Sequence, residues 1–303
     1  MGPNVKDHQE FWSDYQPGLR FARSAVGTRE FFDEVTAYRR ALEPHIDDVV
    51  HFDRWRGCDV LEAGCGMATD GVRFAAAGAR YTGVDFSPTA LSLARRRFAL
   101  EGLPGRFAQG SLTDLPFPDR SFDLVFSHGV IHHMADTEAA VGQFHRVLRP
   151  GGTAIVMVYH RRSLNYYLTI MALRRLATGL LMVPRATRAV SKLTGEPEEV
   201  LAGHKQLLET HGRRYILDRQ LFLSHNTDGP GNPLSKVYSR DEITAMFSPG
   251  FQDVTTQVRY LNLRLYPGGA RFSGTPLAGR MERSIGWHLY VEARKAAPTA
   301  LAP

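Results

Sequence analysis

Two short segments of the 303-residue chain contain residues whose types and spacing could hold a cofactor. In the first, an apolar run ends at Glu62 and continues into a glycine turn with Gly64, Cys65 and Gly66; in the second, an apolar run ends at Asp85. Glycine lets the backbone approach a ligand closely because it has no Cβ. Glu62 could engage a cationic amino group, and Asp85 could accept two hydrogen bonds from ribose hydroxyls. The two segments predict a site for an adenosine-containing cofactor.

A second group of residues could handle a proton. His128, His132 and His133 follow the fourth predicted strand, and Tyr159 ends the fifth. Because the carboxyl ends of parallel strands meet at one edge of a sheet, we expect this group to lie where cofactor and substrate meet. A neutral imidazole could take a proton from a phenol or an enol. The alternative is that His132 and His133 only orient the loop or the helix that follows.

Strands and helices alternate strictly in the part of the chain that must position these residues. Strands are predicted over 60–62, 81–85, 106–109, 121–127, 153–159, 251–265 and 286–293. Helices are predicted over Thr69–Ala77, after the N-cap Ser87 and after the N-cap Asp136. This pattern predicts an α/β fold with a doubly wound, mostly parallel seven-stranded sheet covered on both faces.

The same pattern predicts how the chain is divided. Residues 1–56 are predicted to form helices that cover the cofactor cleft, and residues 57–160 to form the cofactor-binding core. Residues 161–238 are predicted to be a helical insertion that acts as a lid or substrate region. Residues 239–295 then complete the sheet, and 296–303 form a disordered tail.

Charge is unevenly distributed along the chain, whose formal net charge is +6. Residues 1–152 hold 17 Lys and Arg against 20 Asp and Glu, whereas residues 153–303 hold 20 against 11. A basic second half could face an anionic substrate, an acidic partner or nucleic acid, or could simply be a solvated surface.

Composition and local hydrophobicity indicate a cytoplasmic protein with no membrane partner. The N-terminus is polar and has no signal peptide, and two cysteines give no disulfide framework. The most apolar window, Leu164 to Val183, is interrupted by Arg174 and Arg175. It is predicted to be a buried or lid helix rather than a membrane span. No cluster with metal-ligand spacing occurs in the sequence, so no metal is predicted.

Five segments together give the chain a family resemblance. They are Val60–Gly66, Gly83–Ser87, Leu115–Asp119, Ser121–Val125 and Leu148–Gly152. With Thr69 where a nicotinamide-binding turn would have its third glycine, this set resembles the class I S-adenosylmethionine-dependent methyltransferases, in the branch that includes the ubiquinone and menaquinone biosynthesis type. The resemblance covers about residues 58–160 and implies the Rossmann-like methyltransferase fold.

The resemblance also implies roles for individual residues. Glu62 and the turn of Gly64, Cys65 and Gly66 would hold the methionine end of S-adenosylmethionine, and Asp85 its ribose. The adenine would lie against Phe86 and in a pocket lined by Ser111 and Leu112, and His128 would border the transferable methyl group. The chain departs from the family pattern at Ala68, where a third glycine is common, and at Ser111, where relatives often have an acid.

The sequence therefore predicts a methyltransferase that modifies a small molecule or short peptide in specialised metabolism, with oxygen as the favoured acceptor atom. A carboxylate acceptor would need no base, whereas a phenol or enol would need one of the histidines. Residues Ser127–Val130 stand where amino-methylating enzymes usually carry an Asn/Asp-Pro-Pro-aromatic turn. The alternatives are a methyltransferase acting on tRNA or other nucleic acid, for which the basic half is the only support, and a cofactor-binding partner subunit without turnover.

Overall fold

A computed structural model describes residues 11–13 and 18–297 of the chain. Its seven strands form one sheet in the order β3-β2-β1-β4-β5-β7-β6, in which β7 alone runs antiparallel to its neighbours β5 and β6. The strands are β1 (Asp59–Ala63), β2 (Arg80–Asp85), β3 (Arg106–Gln109), β4 (Phe122–His128), β5 (Leu148–Tyr159), β6 (Phe251–Arg259) and β7 (His288–Lys295). The strand order reverses between β1 and β4, as in a doubly wound sheet. The predicted fold class is confirmed.

Helices cover both faces of this sheet. Before β4 they are α1 (Arg29–Leu42), α2 (His45–Val50), α3 (Gly71–Ala76) and α4 (Pro88–Glu101). Between β4 and β6 they are α5 (Thr137–Val147), a π-helix (Asn165–Arg174), α6 (Arg175–Leu180), α7 (Thr187–Thr194), α8 (Glu198–His211), α9 (Arg214–Leu217), α10 (Arg219–His225) and α11 (Arg240–Phe247). The last helix, α12 (Pro276–Ile285), precedes β7.

Local sequence explains where several of these helices begin and end. The Ser87 hydroxyl accepts a hydrogen bond from the Ala90 N–H at the start of α4, and Gly102 ends that helix with φ +66°. Asp136 caps α5 in the same way through the Ala139 N–H. A reciprocal capping box of Ser239 and Glu242 opens α11. These caps fix the helix directions relative to the sheet.

The sheet core is apolar on both faces, which is why the strands are near-continuous hydrophobic runs. On one face, Leu124, Phe126 and Met157 pack beneath α2 and α3. On the other, Val125 and Val156 pack beneath α5 and α11. Burial on both faces leaves only the strand ends available for polar chemistry.

Three predicted boundaries differ from the structure. Strand β5 begins at Leu148 rather than Thr153, because Leu148 pairs with Phe122 and a bulge accommodates the Pro-Gly-Gly segment before Leu124 pairs with Thr153. Strand β6 ends at Arg259, short of the predicted Leu265. The first helix after β1 begins at Gly71, after a turn that includes Thr69.

The segment between β5 and α11 is helical, and only part of its most apolar window, predicted to be a buried or lid helix, is buried. Within Leu164–Val183, Tyr166 and Ile170 are buried, whereas Leu173 and Leu176 are exposed. No helix among the described residues combines the length and the apolar character needed to cross a bilayer. The domain boundaries at 57, 161 and 239 stay a prediction. Most of the predicted tail, 298–303, and residues 1–10 and 14–17 of the predicted cover lie outside the described residues.

Candidate active site at the carboxyl edge of the sheet

The glycine turn after β1 has a backbone that only small or special residues adopt readily. Gly64 and Gly66 have φ values of +77° and +52°, and Ala68 has +55°. A Cβ at Gly64 would come within 2.6 Å of the Val130 side chain, so this position also lacks space. A Cβ at Gly66 would have nothing within 4 Å, so the turn borders open space there. The turn can therefore let a ligand approach the backbone at Gly66.

Asp85 ties the end of β2 to this turn. Its Oδ2 accepts a hydrogen bond from the Gly66 N–H at 2.8 Å, and its Oδ1 accepts one from the Ser87 N–H at 2.9 Å. Burial raises the pKa of Asp85, and the backbone N–H groups oppose that shift. The Phe86 N–H also favours the ionised form, so Gly66, Ser87 and Phe86 use up to three of the roughly four acceptor positions of the carboxylate. The contact of Asp85 with two ribose hydroxyls stays a prediction.

Glu62 has a partner that the sequence analysis did not identify. The Tyr81 hydroxyl donates to Glu62 Oε2 at 2.5 Å, and Gly71 and Gly83 leave the space that the Tyr81 hydroxyl fills. Burial raises the pKa of Glu62 to about 8, Asp70 adds to the shift, and the Tyr81 hydrogen bond opposes it. The only sequence signal for Tyr81 is a polar side chain within an apolar strand, two residues before Gly83.

The predicted adenine-side residues lie next in the chain, after β2 and β3. The Phe86 carbonyl accepts a hydrogen bond from Gln109 Nε2 at 3.2 Å, which links the two loops. Ser111 is exposed, and its hydroxyl lies 2.8 Å from that of Thr113. Leu112 is buried in the core cluster beneath α5. Cys65, in the glycine turn itself, is buried, and burial raises its pKa well above the ordinary thiol value.

His128 is held from both sides. Arg39 Nη2 lies 3.0 Å from His128 Nδ1, and the Tyr290 hydroxyl lies 2.9 Å from Nε2. Because a guanidinium only donates, Nδ1 must accept, so Nε2 carries the proton and donates to Tyr290. Burial, with Arg39 next in effect, lowers the pKa of His128 well below its ordinary value. This neutral ring has no lone pair left for a substrate proton, which argues against the predicted role of His128 as a base.

The same network brings together a group with metal-ligand chemistry, although the sequence shows no metal-ligand spacing. Ligand atoms of Glu43, His128 and His288 lie within 4.8 Å of one another. Arg39 already supplies the positive charge there, with Nη1 at 3.2 Å from Glu43 Oε2 and Nη2 at 2.7 Å from Asp70 Oδ2. A divalent ion would lie next to the positive guanidinium of Arg39, which would repel it. If His128 Nε2 bound the ion, Nδ1 would carry the proton and direct it at this guanidinium, which can only donate. These residues fit a buried ion-pair network and not a metal centre.

His132 is the polar side chain in this region without partners. It is fully buried, and within residues 11–13 and 18–297 neither of its ring nitrogens has a hydrogen-bond partner. Its ring lies 3.8 Å from that of Tyr159 and 4.2 Å from that of His133, measured between centroids. Burial, with His133 and His288 adding to it, lowers the pKa of His132 well below the ordinary value. His132 is therefore a neutral imidazole whose acceptor nitrogen is not used by the protein.

His133 is fixed in one tautomer. Its Nδ1 lies 2.8 Å from the Leu234 carbonyl oxygen, so Nδ1 carries the proton and donates. Nε2 lies 3.4 Å from Asp228 Oδ2, and the Trp12 ring lies 4.7 Å from the His133 ring. Burial lowers the pKa of His133, and Asp228 opposes that shift. In this tautomer Nε2 is an acceptor, and it has no hydrogen-bond partner among the described residues.

Tyr159 and Asp228 connect the end of β5 to the loop after α10. The Tyr159 hydroxyl donates to the Asp228 carboxylate, with distances of 3.0 and 3.1 Å to its two oxygens. The Tyr159 ring stacks on Trp287 at 4.3 Å. The sequence analysis did not single out Asp228 or Trp287. Asp228 lies in a polar loop rich in turn residues, whereas no sequence signal marks Trp287.

The structure therefore divides the predicted site residues into two groups. Glu62, Gly64, Gly66 and Asp85 meet at the carboxyl ends of β1 and β2. A second group, which we call the histidine cluster, consists of His132, His133, Tyr159 and Asp228. His128 belongs to neither, since its ring faces the network of Arg39 and Tyr290.

A cavity of about 770 Å³ opens at the opposite, amino-terminal edge of the strands. Some of its charged lining residues pair with each other: Arg149 lies 2.8 Å from Asp123, and Arg54 lies 3.2 Å from Glu292. The predicted site residues lie at the other, carboxyl edge of the strands.

Comparison with known proteins is consistent with this site. A family model described as a methyltransferase domain matches residues 61–156. A demethylmenaquinone methyltransferase of Thermus thermophilus is 42% identical over 84 residues, which are 28% of this chain and 38% of that protein. An uncharacterized methyltransferase of Synechocystis is 32% identical over 159 residues, which are 50% of this chain and 68% of that protein.

One solved structure adds a likeness of fold. The magnesium protoporphyrin IX methyltransferase of Synechocystis, with bound SAH, has a TM-score of 0.56 at 12% identity, over 97% of this chain and 100% of that one. The sequence relatives are matched over shorter stretches. This chain spans 38% of the Thermus protein, and 40% of a probable S-adenosylmethionine-dependent methyltransferase of Mycolicibacterium smegmatis that is 36% identical over 108 residues.

Proposed function

The chain belongs to the class I S-adenosylmethionine-dependent methyltransferases, and on that premise we propose that it methylates an oxygen atom of a small molecule or short peptide. The bound cofactor supplies an electrophilic methyl group on a sulfonium. In this proposal Glu62 holds its amino group, Asp85 its ribose hydroxyls, and the glycine turn lies against it. The open space at Gly66 and the position of the Asp85 carboxylate against the same turn support this placement.

The observation that carries the proposal is that both ring nitrogens of the buried His132 lack a hydrogen-bond partner among the described residues. A buried imidazole with two unpartnered nitrogens is costly unless a ligand uses it, since a lost hydrogen bond in an apolar site costs about 1–3 kcal/mol. Because its pKa is lowered, His132 stays neutral at physiological pH and keeps one acceptor lone pair. It can take the proton of a phenol or enol hydroxyl, which makes that oxygen a nucleophile.

His133 and Tyr159 are positioning residues in this scheme. His133 uses Nδ1 on the Leu234 carbonyl and faces Asp228 with Nε2, so it fixes the loop after α10. The Tyr159 ring packs against the His132 ring, and the Tyr159 hydroxyl donates to the Asp228 carboxylate. The rings of Trp12 and Trp287 pack against this cluster, and their apolar surface would exclude water from the acceptor.

A carboxylate acceptor is the second candidate, and Arg175 favours it. Within the described residues, its Nε and Nη2 atoms are buried and have no acceptor, while the guanidinium lies over the Phe222 ring at 5.1 Å. An anionic substrate would satisfy these donors. Such a substrate is already ionised at neutral pH, so its methylation would not need His132.

Turnover of two acceptor sets separates these candidates. Release of S-adenosylhomocysteine is measured with phenols or enols and with carboxylic acids, for the wild type, His132→Gln, Arg175→Met and the control His204→Gln, which removes a buried histidine of α8. For a phenol acceptor we expect His132→Gln to lower kcat by about 10²–10⁴-fold with unchanged cofactor affinity. For a carboxylate, Arg175→Met raises KM and His132→Gln has little effect.

Two other outcomes would reject methylation of a small molecule or short peptide. Calorimetric binding of S-adenosylmethionine without turnover of any acceptor would favour a non-catalytic partner subunit. Turnover only with tRNA, and binding to it that weakens steeply with salt, would favour nucleic-acid methylation. His132→Gln protein with wild-type kcat on a phenol would contradict the base role of His132.

A further inference from the structure

The π-helix and helices α6 and α7 carry apolar side chains on a face that the protein leaves exposed. We call this the 167–193 surface. Its exposed apolar residues are Tyr167, Leu168, Leu173, Leu176, Leu180, Met182, Val183 and Leu193. The exposed fractions are large: 67% for Leu176, 57% for Val183 and 75% for Leu193. Contiguous exposed apolar side chains of this kind mark a site of interaction.

The opposite face of the same helices is already used for packing. Tyr166, Ile170 and Leu181 are buried in the core cluster that also contains Tyr159. The π-helix is thus apolar on both faces, and its second apolar face is not needed to hold it on the sheet. An amphipathic surface helix would instead place polar residues outward.

Charge in this segment has one sign. Residues 161–195 contain seven Arg and Lys and no Asp or Glu. Arg185, Arg188 and Lys192 are exposed, and none of them forms an ion pair within residues 11–13 and 18–297. The acidic partners of Arg161 and Arg174, Glu242 and Glu196, lie outside the segment.

We propose that the 167–193 surface docks the protein onto an anionic lipid bilayer, with the helices lying in the interface and not crossing it. Apolar side chains would enter the boundary between headgroups and acyl chains, and Arg185, Arg188 and Lys192 would contact lipid phosphates. The proposal departs from the sequence-based prediction of no membrane partner. It needs no membrane span, and no helix among the described residues is fit to cross a bilayer.

A second copy of the chain fits this surface less well. A two-fold interface brings the same patch of both copies together, so three unpaired cations of one copy would face three of the other. Juxtaposed like charges oppose association. An anionic surface is the occupant that complements both the apolar side chains and the cations.

A neighbouring segment extends the docking surface. The Thr169 hydroxyl lies 2.7 Å from the Tyr266 hydroxyl, which joins the π-helix to the loop after β6. That loop exposes Leu265 and Phe272.

Vesicle flotation tests docking without any enzymatic assay. The full chain is mixed with vesicles of phosphatidylcholine alone, and with vesicles of phosphatidylcholine and phosphatidylglycerol in equal amounts. We expect binding to the anionic vesicles only. The triple variant Arg185→Glu, Arg188→Glu, Lys192→Glu should bind them at least about a hundredfold more weakly, since each basic residue near an anionic surface contributes a factor of about five. The triple variant Leu176→Ser, Val183→Ser, Leu193→Ser should also lose binding.

Matched controls separate the surface from net charge and general hydrophobicity. Arg56→Glu, Arg106→Glu, Arg120→Glu changes the same charge at exposed sites by the amino ends of the strands, and Leu217→Ser removes another exposed leucine. Both controls should bind like the wild type.

The proposal would be overturned if the wild type did not bind anionic vesicles, or if both triple variants bound them as the wild type does. A dimer in sedimentation that the three serine substitutions dissociate would also overturn it and assign the surface to a second copy. Thermal melting verifies that every variant is folded, and turnover measured without vesicles tests the proposed function separately.

Discussion

The Tyr81 hydroxyl, from the start of β2, lies 2.5 Å from Glu62 Oε2, near the end of the neighbouring parallel strand β1. Glu62 is buried there with its pKa raised to about 8, so the free protein holds its proton well above the ordinary carboxyl range. Tyr81 donates the hydrogen bond that favours the ionised form. The contact thus links the charge of a predicted cofactor ligand to a residue one strand away.

Tyr81→Phe should weaken cofactor binding. The change removes the hydroxyl that stabilises ionised Glu62 while keeping most of the side-chain volume. Loss of one such hydrogen bond is worth about 1 kcal/mol, or roughly a fivefold rise in Kd. Calorimetric titration with S-adenosylhomocysteine at pH 7 measures it. The control Tyr167→Phe, at an exposed position of the π-helix, should leave Kd unchanged. An unchanged Kd for Tyr81→Phe would separate Glu62 from cofactor binding.

The raised pKa of Glu62 should also make the cofactor-free protein less stable at alkaline pH. The folded state binds the Glu62 proton more tightly than the unfolded state, whose pKa is near 4.5. Stability from this group is therefore complete below pH 4.5 and is lost as the pH rises through about 8. The total is on the order of 4 kcal/mol. Urea unfolding between pH 5 and 9 should show this loss for the wild type, and Glu62→Gln should reduce it.

The sequence was sufficient to predict the elements that depend on local patterns. Alternating apolar runs predict the sheet, and Ser87 and Asp136 cap the helices that they were predicted to cap. The glycine turn and Asp85 meet because consecutive strands of such a unit are neighbours and end at the same edge. These features need only short-range spacing and parallel topology.

The hydrogen-bond partners of the histidine cluster could not be predicted from any local sequence pattern. Adjacent histidines do not show which ring is held and which is left unpartnered. That difference depends on Leu234 and Asp228, which lie about a hundred residues away in the chain. The same holds for His128, whose ring is occupied by Arg39 of α1 and Tyr290 of β7. Exposure of Leu176 likewise depends on which helix face the rest of the chain covers.

Gly64→Ala should impair the glycine turn for two separable reasons. The backbone is left-handed at φ +77°, and an added Cβ would come within 2.6 Å of both Val130 methyl groups. The left-handed conformation costs roughly 1–2 kcal/mol for alanine, and the clash adds about 1–3 kcal/mol. Gly195→Ala provides the control, because Gly195 has φ +74° and open space around it.

The double variant Gly64→Ala, Val130→Ala tests this separation. Removing the Val130 methyl groups should recover the clash part of the lost stability and leave a residual loss similar to that of Gly195→Ala. Chemical denaturation of the four proteins measures both parts. Equal losses for Gly64→Ala and Gly195→Ala would show that Val130 moves aside without cost.

Asp228→Asn should affect turnover more than cofactor binding. The change removes the charge that faces His133 Nε2 and weakens the bond that the Tyr159 hydroxyl donates. Both contacts position the cluster around His132, so we expect kcat to fall by roughly tenfold to a hundredfold, as when supporting geometry is lost. The Kd for S-adenosylhomocysteine should stay within about twofold, the effect of a few tenths of a kcal/mol. A large change in Kd with unchanged kcat would place Asp228 in the cofactor site instead.

His204 should make the helical segment between β5 and β6 sensitive to acid. It is buried, its Nδ1 lies 2.7 Å from the Tyr215 hydroxyl, and burial lowers its pKa from 6.5 to about 4. The unfolded state therefore binds this proton more tightly, so stability is complete above pH 6.5 and is lost as the pH falls toward 4. The loss from this one residue is about 3 kcal/mol. Urea unfolding between pH 4 and 7 should show that the free energy of unfolding falls less steeply with acid for His204→Gln than for the wild type. The control His211→Gln, at an exposed position of the same helix, should follow the wild type. Parallel curves for His204→Gln and the wild type would mean that His204 is solvated in the folded protein.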